Sequence, residues 1–372
     1  MADGISGMPV HRRLQPGLLA LLCAWVWVRL GFAREQKCRD GGWSSYAEKV
    51  QFKILKFWFG CYSRQQATQL ERAAKDLRSA RIFGRYSQRP AREGAPAATQ
   101  DVMFKHSGNA GDIIYALPAI KALCQGRLAR LFLKLEVPVN GWSETQHPLG
   151  RSGLTWDMVA KLKPLLEHQP WVASVQVHAG ETVDYDLDIF RQAPSIRWES
   201  GGLSRWYFWL FAVHADLSRA WLELRSPPPA SGKIVLARSA RYRNPNLDYA
   251  FLRELGDIDF VGTRDEYAEM RKCVPQLQHA ECADFLQLAG CIQSARFFIG
   301  NQSFPYSLAE ALKVPRILEV CPECSNVVPA GDRAAEAFFQ PHFERLVKEF
   351  AGQGAQASIS QPGRRLRATP LV

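Results

Sequence analysis

The sequence predicts an α/β protein built as two similar halves that face one cleft. Three observations predict it. A short apolar strand at residues 102–104 runs into a loop with two glycines, Gly108 and Gly111, and the loop delivers Asp112 at the start of an apolar helix. A second segment of the same design follows nearly two hundred residues later, with a strand at 296–299, a polar turn of Gly300, Asn301, Gln302 and Ser303, and another apolar helix. Between and after them, short apolar strands alternate with helical stretches across short loops, the pattern of parallel, doubly wound sheets. Strand, glycine loop and helix is how such a sheet presents reactive groups at the carboxyl ends of its strands.

The 372 residues suffice for two such halves with some left over. Residues 1–100 read as a basic extension. The apolar run at 18–28 follows His11, Arg12 and Arg13 and is stopped by Arg29. It is shorter than the roughly 20 residues that span a bilayer. Its flanks fit a weak interfacial anchor, a signal segment or a non-native extension. Residues 49–60 place Val50, Ile54, Phe57 and Trp58 at helical spacing, with Lys49, Lys53 and Lys56 largely on the other side. Such a basic amphipathic helix either packs on the protein itself or lies on an anionic membrane surface as a peripheral contact. Residues 65–83 read as a polar helix rich in Arg. Residues 88–100, rich in Pro, Ala and Gly, read as a linker.

The first half is expected over 101–228. After the Asp112 helix come a strand at 131–137, a helix at 155–168 opened by Thr155 or Asp157, a strand at 172–177, an alternating strand at 184–189, and a buried helix at 206–213. Three prolines in 226–232 end both helix and strand and mark the hinge. The second half is expected over 232–350. Its strands are predicted at 233–237, 257–261, 296–299 and 316–320, and its helices at 264–272, 284–294 and after Ser303. Pro305 suits the first helical turn, where its missing N–H costs nothing. A last helix is predicted at 342–350, followed by a flexible tail over 351–372.

The two signature segments carry a resemblance. Gly-Asp-Ile-Ile-Tyr-Ala-Leu-Pro-Ala-Ile (111–120) and Phe-Ile-Gly-Asn-Gln-Ser-Phe-Pro-Tyr-Ser-Leu-Ala-Glu-Ala-Leu-Lys-Val-Pro (298–315) resemble the N- and C-terminal signatures of the heptosyltransferase-like glycosyltransferases. The resemblance spans roughly 101–350, with both segments in order. It implies the GT-B architecture, two Rossmann-like domains facing a central cleft. It also implies an inverting enzyme of cell-envelope polysaccharide synthesis, moving a sugar from a nucleotide diphosphate-sugar donor to a hydroxyl of a glycan or lipid-linked glycan. The family's base maps onto Asp112. Its donor pocket maps onto the second signature, and its phosphate contact follows the first strand of the second half, here Arg-Ser-Ala-Arg-Tyr-Arg at 238–243. The family usually has Asp, Gly and His where this chain has Gln302, Phe304 and Ser307. Those departures also fit a non-catalytic nucleotide-binding or scaffold module of the same fold. An epimerase of related shape is disfavoured by the Gly-Asp-Ile-Ile of the first signature.

An inverting transfer needs a base for the acceptor proton and donors or cations for the departing diphosphate. The expected base is Asp112. The expected donor contacts are Gly111, Arg238, Ser239, Arg241, Gly262, Thr263, Asn301, Gln302 and Ser303, with Glu310 toward the ribose. No metal and no cofactor other than the donor substrate are implied.

Composition narrows the alternatives. The net charge of +11 invites a nucleic-acid partner. However, residues 1–100 hold 17 Lys and Arg against 7 Asp and Glu, leaving 30 and 29 in the rest. The α/β part is therefore near neutral and lacks the basic field of a nucleic-acid binder. The nine cysteines form no disulfide framework. Cys321-Pro-Glu-Cys324 has no second pair at zinc-site spacing, so free thiols and a reducing compartment are expected. The expected location is cytoplasmic, with membrane contact at its periphery.

Overall fold

The computed structural model describes residues 100–137, 153–191, 196 and 199–357. The apolar run at 18–28, the amphipathic stretch at 49–60, the Arg-rich helix at 65–83, nearly all of the linker at 88–100 and the tail beyond Ala357 lie outside the described residues. Among the described residues no helix is long and apolar enough to cross a membrane.

Two parallel sheets form the molecule's framework, so the α/β expectation holds. The first has the strand order β3-β2-β1-β4, with β1 Val102–His106, β2 Ala129–Leu133, β3 Val172–Val177 and β4 Tyr185–Asp186. The second has the order β10-β9-β8-β5-β6-β7. Its strands are β5 Ile234–Ala237, β6 Ile258–Phe260, β7 Gln278–His279, β8 Phe297–Gly300, β9 Arg316–Glu319 and β10 Ala334–Ala337. Every named pair in both sheets is parallel. In each sheet the strand order reverses at one place, between β1 and β4 and between β5 and β8. The crevice outside the carboxyl ends of the strands at such a reversal is where open α/β sheets bind ligands.

The helices follow from sequence in a direct way. α1 (Ala110–Cys124) is apolar on nearly all sides and is correspondingly buried. It contains Pro118, which cannot donate to the carbonyl four residues back. That carbonyl, on Ile114, instead accepts the indole N–H of Trp221 at 3.1 Å. α2 (Trp156–Glu167) starts at Thr155, whose side chain accepts from the Met158 N–H. α3 (Leu203–Phe211) buries Tyr207 and Leu210 but leaves Trp209 on its exposed face. In the second half α4 (Arg264–Cys273) opens on a reciprocal capping box of Thr263 and Glu266. α5 (Phe285–Gln293) is capped by Asp284, and α6 (Phe304–Leu312) carries Pro305 in its first turn. α7 (Gln340–Ala357) begins earlier and ends later than predicted, reaching seven residues into the stretch read as tail. Its Phe343 and Val347 are fully buried in the core of the second sheet.

Three local expectations change. The strand expected at 184–189 keeps only Tyr185–Asp186, because the Asp186 carboxylate accepts the Asp188 N–H at 3.1 Å and turns the chain into a 3-10 helix, Leu187–Arg191. The strand expected at 131–137 lies at Ala129–Leu133, and the chain leaves it before Glu136, whose φ of 54° is left-handed. Ala334–Ala337, Ala-rich and unassigned from sequence, is a strand on β9.

Candidate functional site

Both signature loops emerge at the reversal points of their sheets. The loop after β1 and the 3-10 turn after β4 stand side by side, as do the loops after β5 and β8. All four open onto one cavity of about 1290 Å³.

The first wall is built around Asp112, the third residue of α1. Its Oδ2 accepts the Asn109 N–H at 3.1 Å and the Arg191 guanidinium. Arg191 was not singled out from sequence. It sits at the end of the 3-10 turn, 79 residues away, and no local pattern marks it. Burial is the largest single influence on its pKa and acts to lower it, but Asp112, with Tyr207 and Asp188, raises it overall. The turn itself is tied to the β1 loop. The Ser107 N–H donates to Asp188 at 2.7 Å, and Lys105 bonds Asp186 at 2.6 Å. Beneath this wall His106 is buried. Its Nδ1 accepts the Gly108 N–H at 2.8 Å, so its Nε2 carries the proton and donates to the Tyr207 hydroxyl at 2.8 Å. Burial drives the His106 pKa down to about 4, so the ring is neutral near pH 7. A side chain at Gly108 would crowd this wall. A Cβ would stand 2.5 Å from His106 Cε1 and 2.9 Å from Asp112 Oδ2.

The second wall is built around Asn301, which is fully buried. Its Oδ1 accepts the Ser239 N–H at 3.0 Å. Its Nδ2 donates to the Ser239 carbonyl at 3.0 Å and to the Arg241 carbonyl at 2.5 Å. One carboxamide thus clamps the loop after β5 against the loop after β8. Gly300 permits that approach, since a Cβ there would stand 2.7 Å from the Ala237 carbonyl oxygen.

The predicted site residues divide into those brought to the cavity and those that are not. Gly111, Asp112, Ser239, Arg241, Gly262, Thr263, Gln302 and Ser303 line it. Arg238 borders it, but its guanidinium is held in a two-pronged pair with the buried Glu319, at 2.8 and 2.9 Å, over the Tyr249 ring. It is therefore not presented as a phosphate contact. Asn301 lies behind the wall as the clamp. Glu310 is not in the cavity. It lies on the buried face of α6, paired with Arg316 and Lys313 at 2.5 Å each, so it is not presented to a ribose as expected. The Gln302 amide is also engaged. It donates to the Cys324 carbonyl at 2.5 Å and to Asn326 at 2.8 Å, and it accepts the Cys321 N–H at 3.0 Å. The Cys-x-x-Cys turn therefore seats Gln302, with both cysteines buried.

Arg241 lines the second wall together with Arg264, Glu266, Glu281 and Asp284. Burial lowers the Arg241 pKa, opposed by the charges of Tyr242 and Asp112. Asp112 and Arg241, from opposite walls, are thus within electrostatic reach of one another. Phe304 and Phe285 pack at a tilt of 49°, with ring centroids 4.3 Å apart, on the same wall. His279 stacks on Tyr267 at 4.7 Å and bonds the Gly262 carbonyl at 3.1 Å, fixing the β6 and β7 loop ends. Among the described residues no group of three His, Cys, Asp or Glu side chains is gathered for a metal ion.

The fold is similar to several solved structures at low identity. A glycosyl transferase family 9 protein from Veillonella parvula DSM 2008 is 11% identical, with a TM-score of 0.46, over 67% of this chain and 88% of that one. The Escherichia coli heptosyltransferase WaaC, solved with ADP-2-deoxy-2-fluoro heptose, is 12% identical with a TM-score of 0.46, over 67% of this chain and 99% of that one. The E. coli ADP-heptose LPS heptosyltransferase II is 11% identical with a TM-score of 0.45, over 69% and 100%. No protein-family model matches the chain, and no curated protein matches its sequence. The likeness concerns the fold alone.

Proposed function

We propose that the protein is an inverting glycosyltransferase. It moves a sugar from a nucleoside diphosphate-sugar to a hydroxyl of a glycan or lipid-linked glycan, on the cytoplasmic side of a membrane, with Asp112 as the base. The observation that carries this reading is the single cavity into which both signature loops open, with Asp112 on one wall and Arg241 on the other.

The acceptor hydroxyl gives its proton to Asp112 as its oxygen attacks the anomeric carbon. The bond from that carbon to the diphosphate breaks, and one displacement inverts the centre. The leaving diphosphate carries the charge away toward Arg241 and the N–H groups at the start of α6. Pro305 removes one of those groups and the Ser303 N–H is bonded to the Asn301 carbonyl at 2.7 Å. The guanidinium therefore carries the larger share. Gly262 and Thr263 give the nucleoside side of the donor a wall without bulk.

The test is release of nucleoside diphosphate by the full-length protein with a panel of sugar donors and hydroxyl acceptors. Asp112→Asn should keep donor binding and lose about 10²- to 10⁴-fold in turnover, the usual weight of a general base. Unchanged turnover would reject Asp112.

A second reading has its own support. The side chains of Arg238 and Gln302, which the resemblance points to as donor contacts, are both engaged by the protein itself. That arrangement fits a nucleotide-binding or scaffold module without catalysis. It predicts that Asp112→Asn changes nothing measurable, and that a nucleotide binds without being turned over.

A further inference from the structure

Resting on the transferase reading, we infer that Arg191 is a positioning residue that fixes the Asp112 carboxylate for proton transfer. The guanidinium and the Asn109 N–H meet on one oxygen, Oδ2. Two donors on the same oxygen stop the carboxylate from turning and leave Oδ1 as the oxygen offered to a proton. The cation is itself held in place, because its 3-10 turn is tied to the β1 loop through Ser107 and Asp188, and through Lys105 with Asp186 and Asp188. Gly108 keeps open the space in which the pair meets, since a Cβ there would stand 3.1 Å from Arg191 Nη2 as well as 2.9 Å from Asp112 Oδ2.

The Arg191 side chain is 25% exposed and that of Asp112 15% exposed, so the pair is largely withdrawn from solvent, and both residues line the cavity. A pair held in this way keeps its geometry, and the guanidinium orients a carboxylate on the cavity wall. The topology supports this. Arg191 follows β4 and Asp112 follows β1, so the reversal of strand order in the first sheet brings them together. The donor wall belongs to the other sheet. Arg191 should therefore affect the proton-transfer step and leave donor binding alone.

The experiment measures kcat and donor KM in the full-length protein for wild type, Arg191→Ala and Arg191→Lys, with Asp112→Asn as reference and with guanidinium chloride added at low millimolar concentration. Misplacing a reacting group by about 1 Å costs on the order of 10²-fold. The expected result is that Arg191→Ala loses about 10- to 100-fold in kcat, with donor KM within about twofold. Added guanidinium should recover part of the loss, and Arg191→Lys should keep most of the wild-type rate. Wild-type kcat in Arg191→Ala, alongside a dead Asp112→Asn, would overturn the inference and leave the transferase reading standing. So would a loss that neither guanidinium nor lysine relieves and that accompanies a fall in Tm, because that is a folding role. No turnover by the wild type with any donor would overturn the transferase reading, and this inference with it.

Discussion

At the scale of single residues, the first wall depends on a glycine and a buried neutral histidine. Gly108→Ala would force a Cβ into His106, Asp112 and Arg191 together. Turnover should fall by at least tenfold while the second sheet's nucleotide affinity is retained. Equal turnover in the alanine variant would mean that the loop gives way at no cost. His106 makes a separate prediction. The unfolded chain takes its proton near the ordinary value of 6.5, whereas the folded protein takes it only near 4. Between those values the unfolded state binds more protons, so stability is lost as pH falls from 6.5 toward 4. The shift corresponds to about 3 kcal/mol at full extent. Between pH 7 and pH 4 the unfolding free energy from urea titration should therefore fall further for wild type than for His106→Gln. Parallel losses would remove His106 as the source.

At the scale of elements, Pro118 and Trp221 show how a helix defect becomes a connection. The proline leaves the Ile114 carbonyl without a helical partner, and the Trp221 indole supplies one. The Trp221 N–H also donates to the Ala311 carbonyl of α6 at 3.0 Å, so the crossing segment is fastened to both signature helices. Trp221→Phe keeps the ring but orphans that buried carbonyl. It should cost about 1–3 kcal/mol in denaturant unfolding, and a change below about 0.5 kcal/mol would contradict the account.

Elements with strong local signals were legible from sequence. β1, β8, α1 and α6 were marked by apolar runs meeting glycine or proline, and the start of α2 by Thr155. Thr263, expected as a donor contact, has its side chain in the cap of α4, and Asp284 caps α5. β10 was not. Its Ala-Ala-Glu-Ala has the composition of a helix, and only pairing with β9 makes it a strand. The site divides in the same way. Asp112, Arg241 and Gln302 lie beside the motifs that announce them. The roles of Arg191, of Glu319 behind Arg238 and of Asn301 as a clamp are set by contacts between residues 60 to 81 positions apart. No local pattern encodes such pairings.

At the scale of the whole molecule, two Rossmann-like sheets set their reversal points toward one cavity, and the central claim is that this cavity holds a nucleoside diphosphate. Asn301 belongs to that claim. Asn301→Ala removes the clamp on the Ser239–Arg241 turn and should weaken nucleotide binding about tenfold or more, with the first wall intact. Unaltered affinity would show the turn to be held by other means. The most direct measurement is the melting temperature of the full-length protein with ADP, UDP, GDP, CMP and their sugars. A ligand that binds only the native state adds about 2.7 kcal/mol at a hundredfold excess over its Kd. The account predicts that one nucleoside diphosphate raises Tm selectively, and that its sugar conjugate does so at least as strongly. No shift with any of them, in a sample that melts cooperatively, would contradict it.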